Sequence, residues 1–230
     1  MATTPPAASS TDYISPFPLT VLVDRDEAAS GHPWHASAVQ IGPHGASGLA
    51  VFACALDAAM YRQHHVAVCG DHLRLCPLAG FDLLAFARER HGRLDCSLVF
   101  GFGALADGRL ACGSSGDLSA WLVPCRFALD GEVAPPVTFH FPPGIMDFIA
   151  SEWERSGGRG HAGALGRING LPPDVLEEQA AAALARAGVS EHGPAPDHWV
   201  FFDASARQWR HSLAREARRS HLRLVPSRER

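Results

Sequence analysis

The densest run of side chains able to do chemistry is His64-His65, Asp71-His72 and Cys76, five imidazole, carboxylate and thiol groups within 13 residues. These are the usual ligand types for Zn²⁺, and a helix end followed by a short strand could bring them together. Their spacing matches no known zinc pattern, and adjacent positions such as His64 and His65 point to different sides of a helix. The same residues also read as helix-end histidines near the negative end of the dipole, beside a core cysteine. The sequence therefore assigns no metal ligand and no cofactor. A small enzyme with a His/Cys-based or metal-assisted site near residues 64–76 stands as an alternative reading.

Nucleophiles come next. The six cysteines, Cys54, Cys69, Cys76, Cys96, Cys112 and Cys125, contain no C-x-x-C pair. A Cys–His pair could generate a thiolate, but thiolate character and exposure decide reactivity, and no cysteine-hydrolase signature surrounds any of the six. Residues 113–117 (GSSGD) resemble a serine-nucleophile turn. G-x-S-x-G needs glycine two residues either side of the serine, which neither Ser114 nor Ser115 has. Ser115 reads better as the cap of a short helix over residues 117–122. Gly101-Phe102-Gly103 follows a strand but lacks the third glycine and the helix of a dinucleotide fingerprint. Residues 156–170 are glycine-rich and read as a flexible loop whose amides could hold an anion. That loop supports a second alternative, a small-ligand-binding module.

The sharpest surface feature is the C-terminal end. Residues 204–230 hold eight arginines and two glutamates, a net of +6, so the overall −4 leaves −10 on the rest. Ala206, Trp209, Leu213 and Ala217 recur at helical spacing. They predict a long helix over residues 204–220, with Arg207, Arg210, Arg218 and Arg219 off the apolar stripe as candidate partner-binding residues.

These groups must be held by a fold. Residues 17–24, 36–41, 49–54, 66–69, 73–78, 95–102, 121–129, 133–141 and 198–203 read as strands. Asp107-Gly108 and Asp130-Gly131 mark hairpins. Helices are expected over residues 55–65, 81–91 (Phe81, Leu84, Ala85 and Ala87 on one face), 144–155 and 175–187. Hairpins with few β-α-β units predict an α+β fold: a mixed or mostly antiparallel sheet, flanking helices and a helix-rich C-terminal third. The expected organisation is a disordered segment over 1–16, one domain over 17–225 with a helical subregion over 142–190, and a flexible tail over 226–230.

No apolar run is long enough to cross a bilayer and the first residues do not resemble a secretory signal. This points to a soluble, cytoplasmic protein with reduced thiols. An acidic chain without an aromatic-and-basic stripe argues against nucleic acid as a partner. With no complete catalytic signature, the leading expectation is a protein-interaction module, an adaptor or an inhibitor/immunity-type binding protein.

Overall fold

The computed structural model describes residues 11–24, 38–41, 48–70, 73–129, 137–191 and 195–212. Ten strands and five α-helices are described: β1 Thr11–Ile14, β2 Thr20–Asp24, β3 Gln40–Ile41, β4 Gly48–Phe52, α1 Ala55–Cys69, β5 Leu73–Pro77, α2 Leu83–Glu89, β6 Arg93–Ala104, β7 Ala120–Ala128, β8 Val137–His140, α3 Pro143–Arg155, α4 His161–Asn169, α5 Pro173–Ala187, β9 His198–Asp203 and β10 Gln208–His211. The mixture of helices with a mixed sheet is the expected α+β class. No described helix is long and apolar enough to cross a membrane.

The main sheet runs β10-β9-β6-β4-β2-β5, with β3 on β4 and β7 on β6. β6 organises it. Its first half lies between parallel β4 and antiparallel β7, and Phe102 pairs with both Ala120 of β7 and Val200 of β9. β9 thus takes over the side of β6 that β4 has left, and the chain leaving β4 turns into α1 beside that changeover. Gly101 permits the handover: a Cβ there would lie 2.6 Å from the Val200 carbonyl oxygen. The glycines that mimic a dinucleotide motif therefore serve close approach of backbone to backbone.

One side chain locks the β4–α1 corner. The Asn169 Oδ1 accepts from the Ala55 N–H at 2.7 Å, and its Nδ2 donates to the carbonyls of Pro18 and Ala53. The first helical turn, whose N–H groups lack intrahelical partners, is thus capped from 114 residues away. Packing of α1 against α5, β5 and β2 buries its first seven residues.

Several expectations are corrected. Residues 66–69 are the last turns of α1, not a strand; Gly70, at φ 77°, ends the helix. Residues 117–122 form no helix: Cys112 bridges Leu118 and the chain enters β7. β8 pairs in parallel with β1, so Thr11–Ile14 is a strand inside the segment expected to be disordered. The Asp130-Gly131 turn lies outside the described residues. The glycine-rich stretch 156–170 is largely α4, because His161, Ala164, Leu165 and Ile168 form a buried stripe that outweighs the low helix propensity of glycine. The helix-rich C-terminal third is not supported: among the described residues after α5 the chain returns to strands. In place of a helix from residue 204 there is a turn with Arg207 at φ 51° and then β10, antiparallel to β9. Trp209 packs on Phe202 and donates its indole N–H to the Ala183 carbonyl, contacts that strand spacing supplies as readily as helical spacing. Residues 213–220 lie outside the described residues.

Candidate functional site

Two sequence clusters that looked separate meet at the C-terminal half of α1. His64, His65 and Cys69 project from the helix towards the tight turn over residues 112–118. Hydrogen bonds from the Gly113 N–H to the Asp117 carbonyl (2.8 Å) and from the Gly116 N–H to the Gly113 carbonyl (3.0 Å) shape that turn. Gly116 sits at φ 87°, and a Cβ there would come within 3.1 Å of a Val68 methyl. Only glycine lets the turn lie this close to the helix.

The two histidines divide the work. His64 Nε2 lies 2.7 Å from the Gly116 carbonyl and 3.5 Å from Cys112 Sγ. A carbonyl can only accept, so the short contact fixes the proton on Nε2 and leaves that nitrogen no lone pair for the Cys112 thiol. Burial pushes the Cys112 thiol up, a hydrogen bond from Ser190 opposes it, and Asp117 adds to the rise. His64 is thus an anchor for the turn and not the base of a thiolate pair.

His65 faces Asp117, Nδ1 to Oδ1 at 2.5 Å, and the other carboxylate oxygen accepts from the Ser115 hydroxyl at 2.9 Å. Ser115 therefore orients Asp117 instead of capping a helix. Tyr61, one turn earlier on α1, stacks its ring on His65 with centroids 6.0 Å apart. Burial raises the Tyr61 hydroxyl pKa, with Asp117 and Cys69 adding to the shift, so the phenol is neutral. Cys69 lies one turn after His65 and is exposed. Donor atoms of His65, Cys69 and Asp117 all lie within 4.8 Å of one another. Cys76, expected near this group, is buried on β5 with its thiol 3.5 Å from the Pro77 carbonyl; Asp71 and His72 lie outside the described residues.

A second constellation fills the corner where β4 gives way to β9. Cys54, Asp57, Trp153 and His161 line a small cavity with Phe100 and Phe201. Its volume is about 20 Å³, room for one water. Burial pushes the Asp57 carboxyl up to about 7 and the His161 imidazole down to about 4. Burial also raises the Cys54 thiol, with Asp57 adding to the rise against the pull of the Asp57 and Leu56 backbone N–H groups. The Trp153 indole N–H is buried without a hydrogen-bond partner among the described residues. Sequence reasoning missed this group, because its members are spread over more than 100 residues and only the sheet changeover unites them.

Of the candidate partner-binding arginines, Arg207 is exposed at the β9–β10 turn and Arg218 and Arg219 lie outside the described residues. The Arg210 guanidinium is only 18% exposed and pairs with Asp203 at 2.6 Å. Burial works against the Asp203 carboxylate, but hydrogen bonds from Ser205, Ala206 and Arg210 outweigh it and hold the group below its usual range. None of the six cysteines is in a disulfide. Comparison with protein-family models, curated proteins and solved structures finds no match for this chain.

Proposed function

We propose that this chain is a protein-interaction module, an adaptor or inhibitor, that docks an acidic partner on the β9–β10 hairpin and the basic segment behind it. The observation carrying this reading is the placement of β10. Among the described residues it is the last strand of the main sheet, paired on one side by β9, and in sequence it leads into the arginine-rich end. Edge strands offer unpaired backbone groups, and an extended partner segment can add to them. Arg207 stands exposed at the turn, whereas Arg210 holds the hairpin through Asp203. Arg207, Arg218 and Arg219 then meet the partner, and Arg210 positions the strand. The test is affinity purification of tagged protein from its native cell at two salt concentrations, beside the triple variant Arg207→Glu, Arg218→Glu, Arg219→Glu. A near-stoichiometric partner lost at high salt and lost from the variant is the expected result, because exposed charges are screened over roughly 10 Å at 0.1 M salt. A partner that the variant retains, or protein that elutes alone at both salts, ends this reading.

The cavity favours a second reading, a small-ligand-binding module. Four residues from the stretch 156–170, His161, Ala164, Leu165 and Ile168, line it, and the unpartnered Trp153 N–H borders it. Because the cavity has room for only one water, a ligand enters only if its walls move: a saturable shift of the Trp153 indole ¹⁵N–H resonance on adding ethanol would support such opening, and an unmoved resonance would end this second reading.

A further inference from the structure

We infer that His65, Cys69 and Asp117 form a binding site for a divalent transition metal of the zinc class, independent of the docking hairpin. The argument begins with the helix. Positions four apart on α1 lie on one side, so His65 and Cys69 present an imidazole and a thiol together. Asp117 comes from the facing turn, and its donor atom and theirs lie within 4.8 Å of one another. A tetrahedral Zn²⁺ with bonds of about 2.0–2.3 Å spaces its ligand atoms roughly 3.3–3.6 Å apart. The three donors bracket that spacing: His65 Nδ1 and Asp117 Oδ1 are 2.5 Å apart, and no pair exceeds 4.8 Å. A turn of the Asp117 carboxylate that replaces its bond to His65 by two bonds to the cation is the adjustment required.

The supporting groups are those of a prepared site. His64 pins the turn through the Gly116 carbonyl, Ser115 holds the outer oxygen of Asp117, and the Tyr61 ring stacks on His65. Such surroundings fix ligand orientation around a metal. The side chains of His65 and Asp117 are 16% and 21% exposed, and Cys69 is exposed, so a cation reaches the donors from solvent.

Ligand chemistry selects the metal class. Thiolate and imidazole favour zinc and its neighbours, whereas Mg²⁺ and Ca²⁺ want oxygen donors throughout. Binding requires Cys69 to give up its proton to solvent and His65, whose Nδ1 proton lies towards Asp117, to carry its proton on Nε2 instead, which frees Nδ1 for the cation. Among the described residues three protein donors are brought together, so a fourth tetrahedral position is completed by a ligand outside this group.

The experiment uses the full chain stripped with a chelator and titrated with Co²⁺, then Zn²⁺. One equivalent of Co²⁺ should give tetrahedral d–d bands and a thiolate-to-cobalt charge-transfer band, both removed by Zn²⁺. Cys69→Ser should abolish the charge-transfer band. His65→Gln and Asp117→Asn should each weaken Co²⁺ binding by at least about tenfold, in line with losses seen on disturbing metal surroundings. Cys76→Ser should change nothing. Circular dichroism of the stripped variants checks folding; Cys69 is exposed, so its serine variant decides the matter even if Asp117→Asn disturbs the turn. The site is overturned if the wild type shows no saturable binding, or if the charge-transfer band survives in Cys69→Ser.

Discussion

At the scale of single residues, two groups perturbed in ways that matter for pH dependence, Asp57 and His161, are buried at the β4–α1 corner. Asp57 keeps its proton up to about pH 7 in the folded chain, against an ordinary value of 3.8. Between those values the unfolded chain has lost a proton that the native one retains, so this carboxyl erodes stability as pH rises through the window. His161 acts in the opposite sense. Its folded value of about 4 lies below the ordinary 6.5, so its contribution grows from pH 4 to 6.5 and is complete above that. The two slopes oppose each other below pH 6.5, and only that of Asp57 persists above it. Asp57→Asn should therefore gain stability over the wild type as pH rises from 4 to 7, by up to about 4 kcal/mol. Urea midpoints measured at pH 4.5 and 8 check this, and an equal difference at both would refute it. Asn169 is the other decisive residue. Asn169→Ala removes the cap on α1 and leaves the Ala55 N–H unsatisfied, which should cost about 1–3 kcal/mol in denaturant titration.

At the scale of elements, two short pieces carry the candidate surfaces, and each depends on one local interaction. The turn over residues 112–118 lies on α1 because Gly116 adopts a left-handed conformation against Val68. Gly116→Ala should cost on the order of 1–2 kcal/mol and weaken Co²⁺ binding together with stability, because the strain moves Asp117 away from His65. Thermal unfolding and cobalt titration of the same sample read both. The β9–β10 hairpin depends on the pair between Asp203 and Arg210, whose side chains are 7% and 18% exposed. Asp203→Ala strands a largely buried guanidinium and should destabilise by on the order of 3 kcal/mol; adding Arg210→Met should recover part of that loss. Denaturant midpoints of the single and double variants decide it, and a harmless single variant would show that the pair does not hold the hairpin.

At the scale of the whole molecule, β6 joins two partial sheets, one carrying β4, β2 and β5 and the other β9 and β10. α1 starts at their junction and runs to the turn over 112–118, so the cavity lies at one end of this helix and the His65–Cys69–Asp117 group at the other. The docking surface proposed for the C-terminal hairpin is a third region. Charge is divided along the sequence: the acidic remainder and the basic end differ in sign. Association through the hairpin should therefore weaken with ionic strength, while metal binding, held by direct coordinate bonds, should change less between 50 and 300 mM salt. Parallel titrations at the two salts check that contrast.

The sequence by itself determined what local chemistry controls. The α+β class, the strands of the core, the Asp107-Gly108 turn and the helix stop at Gly188 follow from side-chain periodicity and from residues suited to positive φ. His64, His65, Cys112 and Asp117 were legible as chemically able residues, but in two separate groups. Tertiary structure decided which of them meet: pairing of β6 with β7 and β9 places the 112–118 turn over α1, and this choice joins His65 to Asp117 and leaves Cys76 out. It also overrode local propensity. A glycine-rich stretch became α4 because its apolar stripe had a cavity wall to cover, and an apparent helix beyond Asp203 became a strand because β9 offered an open edge. Sequence spacing records which side chains could share a face; burial and pairing across distant strands select which of those faces is used.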